Sequence, residues 1–121
     1  MNGFLRNKKG FTLIELMVVI AILGILALIA LSHFSSATKQ SWNAATKSSL
    51  KNAYTAAQAF FTDSPTGTVT TAILQSYGYT PDPNVNLNVA NGSLAALSLT
   101  ASYNQPGTQT FSIDSIGTMS P

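Results

Sequence analysis

The sequence predicts an α+β chain in which one long N-terminal helix packs against a small antiparallel sheet of three to four strands. Three observations lead to this fold class. A run of 21 almost purely apolar residues begins at Phe11. An amphipathic stretch without a strong helix breaker then continues to Phe61. Beyond residue 84, apolar residues recur at every second position, as they do in half-buried strands.

The apolar run has the length of a membrane-spanning helix. From Phe11 to Leu31 a helix is about 31 Å long at ~1.5 Å per residue, which matches a hydrocarbon core of ~30 Å. Three basic residues, Arg6, Lys8 and Lys9, precede the run and no comparable cluster follows it. The positive-inside rule therefore places the N-terminus in the cytoplasm and the rest of the chain outside. A cleaved secretory signal peptide and a plain single-pass anchor are the two alternatives.

One acid, Glu15, stands inside this run, on the same helix face as Phe11 four residues earlier. A carboxylate at the centre of a bilayer costs roughly 2.5–3.5 kcal/mol, and less near the interface. The sequence contains no basic side chain between residues 10 and 38. Cleavage between Gly10 and Phe11 would supply the missing cation as a free α-amino group. We therefore hypothesise that this amine pairs with Glu15 of a neighbouring copy.

The second part of the helix carries one apolar stripe. Leu50, Ala53, Ala57 and Phe60 follow each other in three- and four-residue steps, and Trp42 with Ala45 approximately extends the series. The three helix lysines, Lys39, Lys47 and Lys51, lie broadly off this stripe. The pattern predicts a single helix over residues 11–61, about 75 Å long at ~1.5 Å per residue.

The C-terminal part reads as turns, one short helix and a sheet. "DSPTGT" at 63–68 predicts a turn, and "TVTTAILQSYG" predicts a short helix with a threonine cap and Gly78 as its stop. Alternation over 85–89, 97–103 and 111–113 predicts a three-stranded antiparallel meander, with a tight "NG" hairpin turn at 91–92 and a second turn in "NQPG" at 104–107. The helix stripe would cover the apolar face of this sheet.

Composition argues against several classes of function. After Gly10 the chain has three basic residues and four acids, and charged residues make up 8% of the sequence, so it lacks the basic stripe of a nucleic-acid binder. Without cysteine there is no thiolate chemistry and no disulfide. The single histidine, His33, has no acid beside it and is expected to be structural or interfacial. Asp63, Asp82 and Asp114 are too scattered for a metal site, so we expect no cofactor, no metal and no enzyme activity.

The string "KKGFTLIELMVVIAILGILA" resembles the prepilin signature of type IV pilins and the related pseudopilins. The match is close over about the first 30 residues and looser afterwards. The resemblance implies a pilin fold with a leader at 1–10, a long helix at 11–61 and a globular head at 62–121. Residues 11–31 would be both the transmembrane segment and the filament core. It also implies that a prepilin peptidase cuts between Gly10 and Phe11, that Phe11 is N-methylated, and that Glu15 guides assembly and register.

One position departs from the family pattern. Pilins commonly carry a proline late in the apolar run, in a string like "I-P-x-F", whereas "LSHF" here places Ser32 at that point. Ser32 retains the backbone N–H that proline lacks. Gly24 weakens a helix by about 1 kcal/mol relative to alanine. Filaments of this family often show local helix melting in this region; we expect less of it here, or melting centred on Gly24.

The resemblance implies that the chain is the structural subunit of a type IV pilus-like filament. The subunit would be stored in the inner membrane before assembly and displayed on the cell surface afterwards. Its expected partners are copies of itself, a prepilin peptidase, an inner-membrane assembly platform with its ATPase, and membrane lipid before assembly. A pseudopilin of a type II secretion system and a membrane-anchored binding domain that never polymerises are the alternatives. Motility, adhesion, DNA uptake and conduction all remain open as roles of the filament.

Overall fold

The computed structural model describes residues 10–121, so the predicted leader, apart from Gly10, lies outside the described residues. The chain divides into two compact units, one ending at Ala37 and the other comprising Thr38–Pro121. We call these the N-terminal and C-terminal units. Helix α1 (Leu13–Asp63, 51 residues) contributes its first part to the N-terminal unit and its second part to the C-terminal unit. The predicted long helix is thus present.

The C-terminal unit is a helix packed on a sheet, which confirms the predicted fold class. A short helix, α2 (Thr71–Ser76), follows α1 and precedes four strands. These are β1 (Val85–Asn91), β2 (Ser98–Tyr103), β3 (Thr110–Ile113) and β4 (Met119–Ser120). The strands are antiparallel and adjacent in chain order, so the sheet is a meander. The three-stranded meander expected from alternation omitted β4, whose two residues are too few to show a period.

The stripe of α1 and the inner face of the sheet form one core. Leu50, Ala53 and Ala57 of α1 have no exposed surface, as the three- and four-residue spacing predicts. The sheet contributes alternate residues, and α2 with its flanks closes one end; the buried partners are Val69, Leu74, Tyr79, Val85, Leu97, Leu99, Ala101, Phe111 and Ile113.

The few polar groups of this core are paired. The hydroxyls of Ser49 and Tyr79 share a buried hydrogen bond of 3.1 Å, and the Thr46 hydroxyl donates to the Trp42 carbonyl at 2.9 Å. The Trp42 ring stacks on Tyr103 of β2, with centroids 5.5 Å apart. Lys47 is exposed, and its ammonium lies 4.9 Å from the centre of the Phe111 ring. The helix lysines therefore lie off the buried stripe, as expected.

The short helix behaves as its sequence predicts. The Thr70 hydroxyl accepts from the Ile73 N–H at 3.3 Å, which makes Thr70 the N-cap of α2. Gly78 follows the helix with a φ of +101°, a conformation that glycine adopts without steric cost. Tyr77 lies between the end of α2 and Gly78. Its hydroxyl donates to Asp63 Oδ2 at 3.0 Å and so links α2 to the end of α1.

The predicted tight turn at Asn91 and Gly92 is wrong. β1 and β2 are joined by a loop over residues 92–97, and Asn91 still pairs with Ser98. A two-residue turn of this kind requires positive φ at both residues, and neither has it. Gly92 serves another purpose, because its carbonyl accepts from the Val69 N–H at 2.8 Å. A Cβ at Gly92 would lie 2.4 Å from the Val69 oxygen.

We predict that Gly92→Ala lowers the free energy of unfolding by about 1–3 kcal/mol, the range for overpacking, because the new methyl group forces two backbone segments apart. Urea unfolding of the full chain in detergent, followed by fluorescence of the single tryptophan, Trp42, measures the change. The exposed loop substitution Ala95→Ser is the control and should leave the midpoint unchanged. A midpoint for Gly92→Ala equal to that of the unmodified chain would disprove the close-approach account.

The contact between Asp63 and Tyr77 should make the stability of the fold depend on pH. The hydrogen bond to Asp63, followed by desolvation and by the Asp63 charge, raises the pKa of Tyr77 above its ordinary 10.0. Because the pKa of Tyr77 is higher in the folded chain than in the unfolded chain, its contact with Asp63 stabilises the fold. This contribution is fully present below the unfolded-state pKa and is lost as the pH rises through the folded-state pKa. Asp63→Asn should therefore lower the pKa of Tyr77, measured by NMR titration of ring-labelled tyrosine. Asp82→Asn removes the same charge elsewhere and should leave Tyr77 unchanged; equal titration of Tyr77 in all three chains would contradict the assignment.

Candidate functional site

The first part of α1 presents an apolar surface that its own unit does not cover. Every described residue from Gly10 to Ala37 is exposed. α1 contains an 18-residue window with a mean hydropathy of 3.0, which is long and apolar enough to cross a membrane by length and composition. A monomer in water rarely exposes an apolar patch larger than a few hundred Å². This helix segment therefore requires lipid or other apolar helices around it.

The start of α1 is held by a threonine cap. The Thr12 hydroxyl accepts a hydrogen bond of 3.2 Å from the backbone N–H of Glu15, and the Leu16 N–H bonds to the Thr12 carbonyl at 3.2 Å. Thr12 is thus the N-cap and Glu15 is the third helical residue. This is one half of a capping box, the local pattern of threonine followed three residues later by glutamate. Glu15 also lies in the first turn, where the helix dipole favours a negative charge.

This threonine cap was not among the sequence-based predictions, although its signal was present. The four residues "TLIE" at 12–15 have the spacing of a capping box directly before an apolar run. Two explanations of Glu15 therefore coexist, one within the helix and one between copies. The two explanations require different side chains. A capping box accepts glutamine as well as glutamate, whereas an ion pair requires the charged carboxylate.

The proposed cleavage point lies just before this cap. Gly10 and Phe11 precede the first helical residue, and both are exposed, Phe11 by 79%. The peptide bond between them is thus outside the hydrogen-bonded helix, where a peptidase can bind an extended chain. A cut here would leave an α-amino group one residue before Thr12. That cation would stand at the positive end of the helix dipole, so a nearby carboxylate is needed to offset it.

The two suggested weak points both lie within the helix. Gly24 and Ser32 are helical and exposed, and apart from its chain neighbours and the backbone of its own helix turn, no atom of the described residues lies within 4 Å of where a Cβ on Gly24 would stand. The packing of this chain therefore gives no reason for a glycine there. Melting near Gly24 in a filament remains a prediction. His33 is also exposed on this helix segment.

The scattered acids of the C-terminal unit each have a local role. Asp63 accepts from Tyr77, Asp82 from the Asn84 backbone N–H, and Asp114 from two backbone N–H groups of its own turn. Within residues 10–121, no three side chains of the metal-binding types come together. The carboxylates of this unit thus serve turns and a helix end.

Comparison with known proteins locates the same N-terminal region. Residues 5–31 match a family model described as the prokaryotic N-terminal methylation motif. The type IV major pilin protein PilA of Myxococcus xanthus is 47% identical over 62 residues, which is 51% of this chain and 28% of that protein. The type IV wide pilus major component PilA4 of Thermus thermophilus is 32% identical over 100 residues, or 82% of this chain and 76% of that protein.

The chain belongs to the type IV pilin family. The match to the Thermus protein decides this, because it covers most of both chains at 32% identity. The resemblance stated from the signature alone is therefore confirmed. The family is a structural one and not enzymatic. The match covers 28% of the length of the Myxococcus relative, so the two proteins are similar over only part of that protein.

Proposed function

We propose that this pilin is the structural subunit of a type IV pilus-like surface filament. The observation that supports this is the exposed apolar segment of α1, which begins with one capped turn and one acid. In the membrane, lipid covers the segment. In the filament, the same segments of neighbouring copies cover it, as helices in a bundle cover each other.

Processing creates the charge that Glu15 needs. A prepilin peptidase cuts between Gly10 and Phe11, and the new amine of Phe11 is methylated; the match to a methylation motif supports both steps. A methylated amine still carries a positive charge. The three basic residues of the leader leave with the cut, so the mature N-terminus has one cation at a defined place.

The pair between copies sets the axial register of the subunits. Moving α1 from lipid into a bundle exchanges one apolar medium for another, so the hydrophobic effect contributes little to that step. Leaving either charge unpaired in such a medium is strongly unfavourable, about 3–5 kcal/mol when one partner of a buried pair is removed. The carboxylate of Glu15 and the Phe11 amine of a neighbouring copy therefore favour the one axial position at which they meet.

The subunit is stored in the inner membrane, and an assembly platform with its ATPase moves it into the filament. Both relatives are named as pilus components, which favours a pilus over the pseudopilus of a type II secretion system. A membrane-anchored binding domain that never polymerises is the remaining competitor.

We predict that Glu15→Gln reduces the number of surface filaments by at least about tenfold, since it leaves the Phe11 amine unpaired in the filament core. Glutamine retains the capping-box residue type, so the loss would report the charge and not the helix cap. Filaments are counted by electron microscopy of sheared cells. Glu15→Asp keeps the carboxylate and should assemble better than Glu15→Gln.

Mass spectrometry of each variant provides the control for processing. The mature chain should begin at Phe11 and weigh about 14 Da more than the unmodified product, as one added methyl group requires. Full assembly by Glu15→Gln together with failure of Glu15→Ala would assign Glu15 to the helix cap and overturn the proposed pair. If the chain of unchanged sequence loses its leader but forms no filaments, the proposed function itself is wrong.

A further inference from the structure

Ile116 is an apolar side chain displayed on a polar surface. It is 81% exposed, and Leu94, at 42%, is the other large apolar residue exposed in the described part of the chain after Phe61. A single exposed apolar side chain needs no explanation by itself. What distinguishes Ile116 is that the backbone beneath it is fixed from two sides.

The first constraint is the turn between β3 and β4. Asp114 Oδ1 accepts from the N–H groups of Ile116 and Thr118, at 3.1 and 2.8 Å. The Asp114 N–H donates to the Thr118 carbonyl, and the Gly117 N–H donates to the Asp114 carbonyl, both at 3.1 Å. Four hydrogen bonds thus define a turn of five residues with Ile116 at its tip.

The second constraint joins this turn to α1. The Tyr54 hydroxyl donates to the Ser115 carbonyl at 3.3 Å. Gly117 lies against the Tyr54 ring, since a Cβ there would be 3.2–3.4 Å from atoms of that side chain. The turn therefore lies against the helix, and the backbone at Ile116 loses little conformational freedom when it binds a partner.

An open pocket of about 250 Å³ lies elsewhere on the same unit. Its lining is uncharged, combining methyl groups of α1 with polar groups of α1 and of the chain that follows α2. The pocket is lined by Asn52, Thr55, Ala56, Ala59, Tyr77, Gly78 and Thr80.

The pocket and the Ile116 turn lie on different flanks of α1. At 3.6 residues per turn, the pocket-lining positions 52, 55, 56 and 59 centre about 150° around the helix axis from Tyr54, which carries the turn. A protrusion on one flank and a recess on another cannot meet within one molecule, and they cannot form a two-fold pair through the same patch. Such a contact is heterologous, and repeated between copies it builds an open array.

We propose that Ile116 of one copy inserts into this pocket on the next copy, forming a lateral contact between C-terminal units. The proposal rests on the proposed function, because it assigns a specific contact between subunits of the filament. The electrostatics suit a second copy of this chain. The pocket lining carries no charge, and the Asp114 carboxylate beside Ile116 is occupied by backbone N–H groups.

Cross-linking tests this contact without ambiguity because the chain contains no cysteine. The double variant Ile116→Cys/Ala59→Cys places one thiol on the protrusion and one in the pocket of every copy. Treatment of sheared filaments with a short thiol-to-thiol cross-linker should give a ladder of two, three and more subunits on a denaturing gel. The double variant Leu94→Cys/Ala59→Cys is the matched control and should remain monomeric.

The single variants separate the possible outcomes. Neither Ile116→Cys nor Ala59→Cys alone should cross-link, since each cross-link needs one thiol at position 116 and one at position 59. Intact filaments of the first double variant that give no ladder, or efficient self-linking of Ile116→Cys, overturn the proposed contact and leave the proposed function standing. A lack of filaments in the unmodified chain overturns the proposed function, and the contact with it.

A second measurement decides the matter if the double variant does not assemble. Ile116→Asp should lower the number of filaments about tenfold or more, as loss of a central interface residue does, while Leu94→Asp should leave it near that of the unmodified chain. Unchanged Trp42 fluorescence shows that the C-terminal unit is folded in both. Equal filament numbers for Ile116→Asp and the unmodified chain overturn the contact.

Discussion

The organisation of this pilin depends on one unsatisfied surface, the apolar first part of α1, which no residue of its own unit covers. A helix of this composition is not stable in water without a cover. Lipid or sister helices must provide the cover. Because both are apolar, burial alone does not specify where one helix stops relative to the next. A charge pair can, and Glu15 is the single acid of this segment.

The two roles of Glu15 are compatible in physical terms. The cap formed by Thr12 fixes the first turn, and a fixed turn holds the carboxylate at a defined height on the helix. The Phe11 amine that the proposed cleavage would create lies just before that cap. Local capping therefore prepares the geometry that a pair between copies requires, and the isosteric change to glutamine separates the two contributions.

The C-terminal unit folds around its own core and exposes a surface that other copies can contact. Its acids are used by turns and by the end of α1, and its lysines lie along the helix. The surface that remains is hydrated but sparsely charged, so copies can approach without strong repulsion. The turn that carries Ile116 is fixed by Asp114 and Tyr54, which makes it suited to a repeated contact.

The sequence predicted the features that depend on period and missed those that depend on proximity. The apolar run, the stripe through Leu50 and Phe60, and the alternation in the strands follow from local spacing, and the structure contains all three. The tight turn at Gly92 was wrong because that glycine is required by the neighbouring backbone of Val69, which lies far away in sequence. The Ile116 turn and its seat on Tyr54 were likewise invisible, since 61 residues separate the two hydrogen-bonded partners. The Thr12 cap was readable and was overlooked.

The central claim is that a positive charge created by proteolysis meets Glu15 on another molecule. A density map of the purified filament, at a resolution that shows side chains, tests it most directly. The account predicts that the Phe11 nitrogen lies within about 4 Å of a Glu15 carboxylate oxygen of a neighbouring subunit, the distance of an ion pair. A map in which filaments are formed by chains that keep residues 1–10, or in which Glu15 contacts only its own helix, would contradict it.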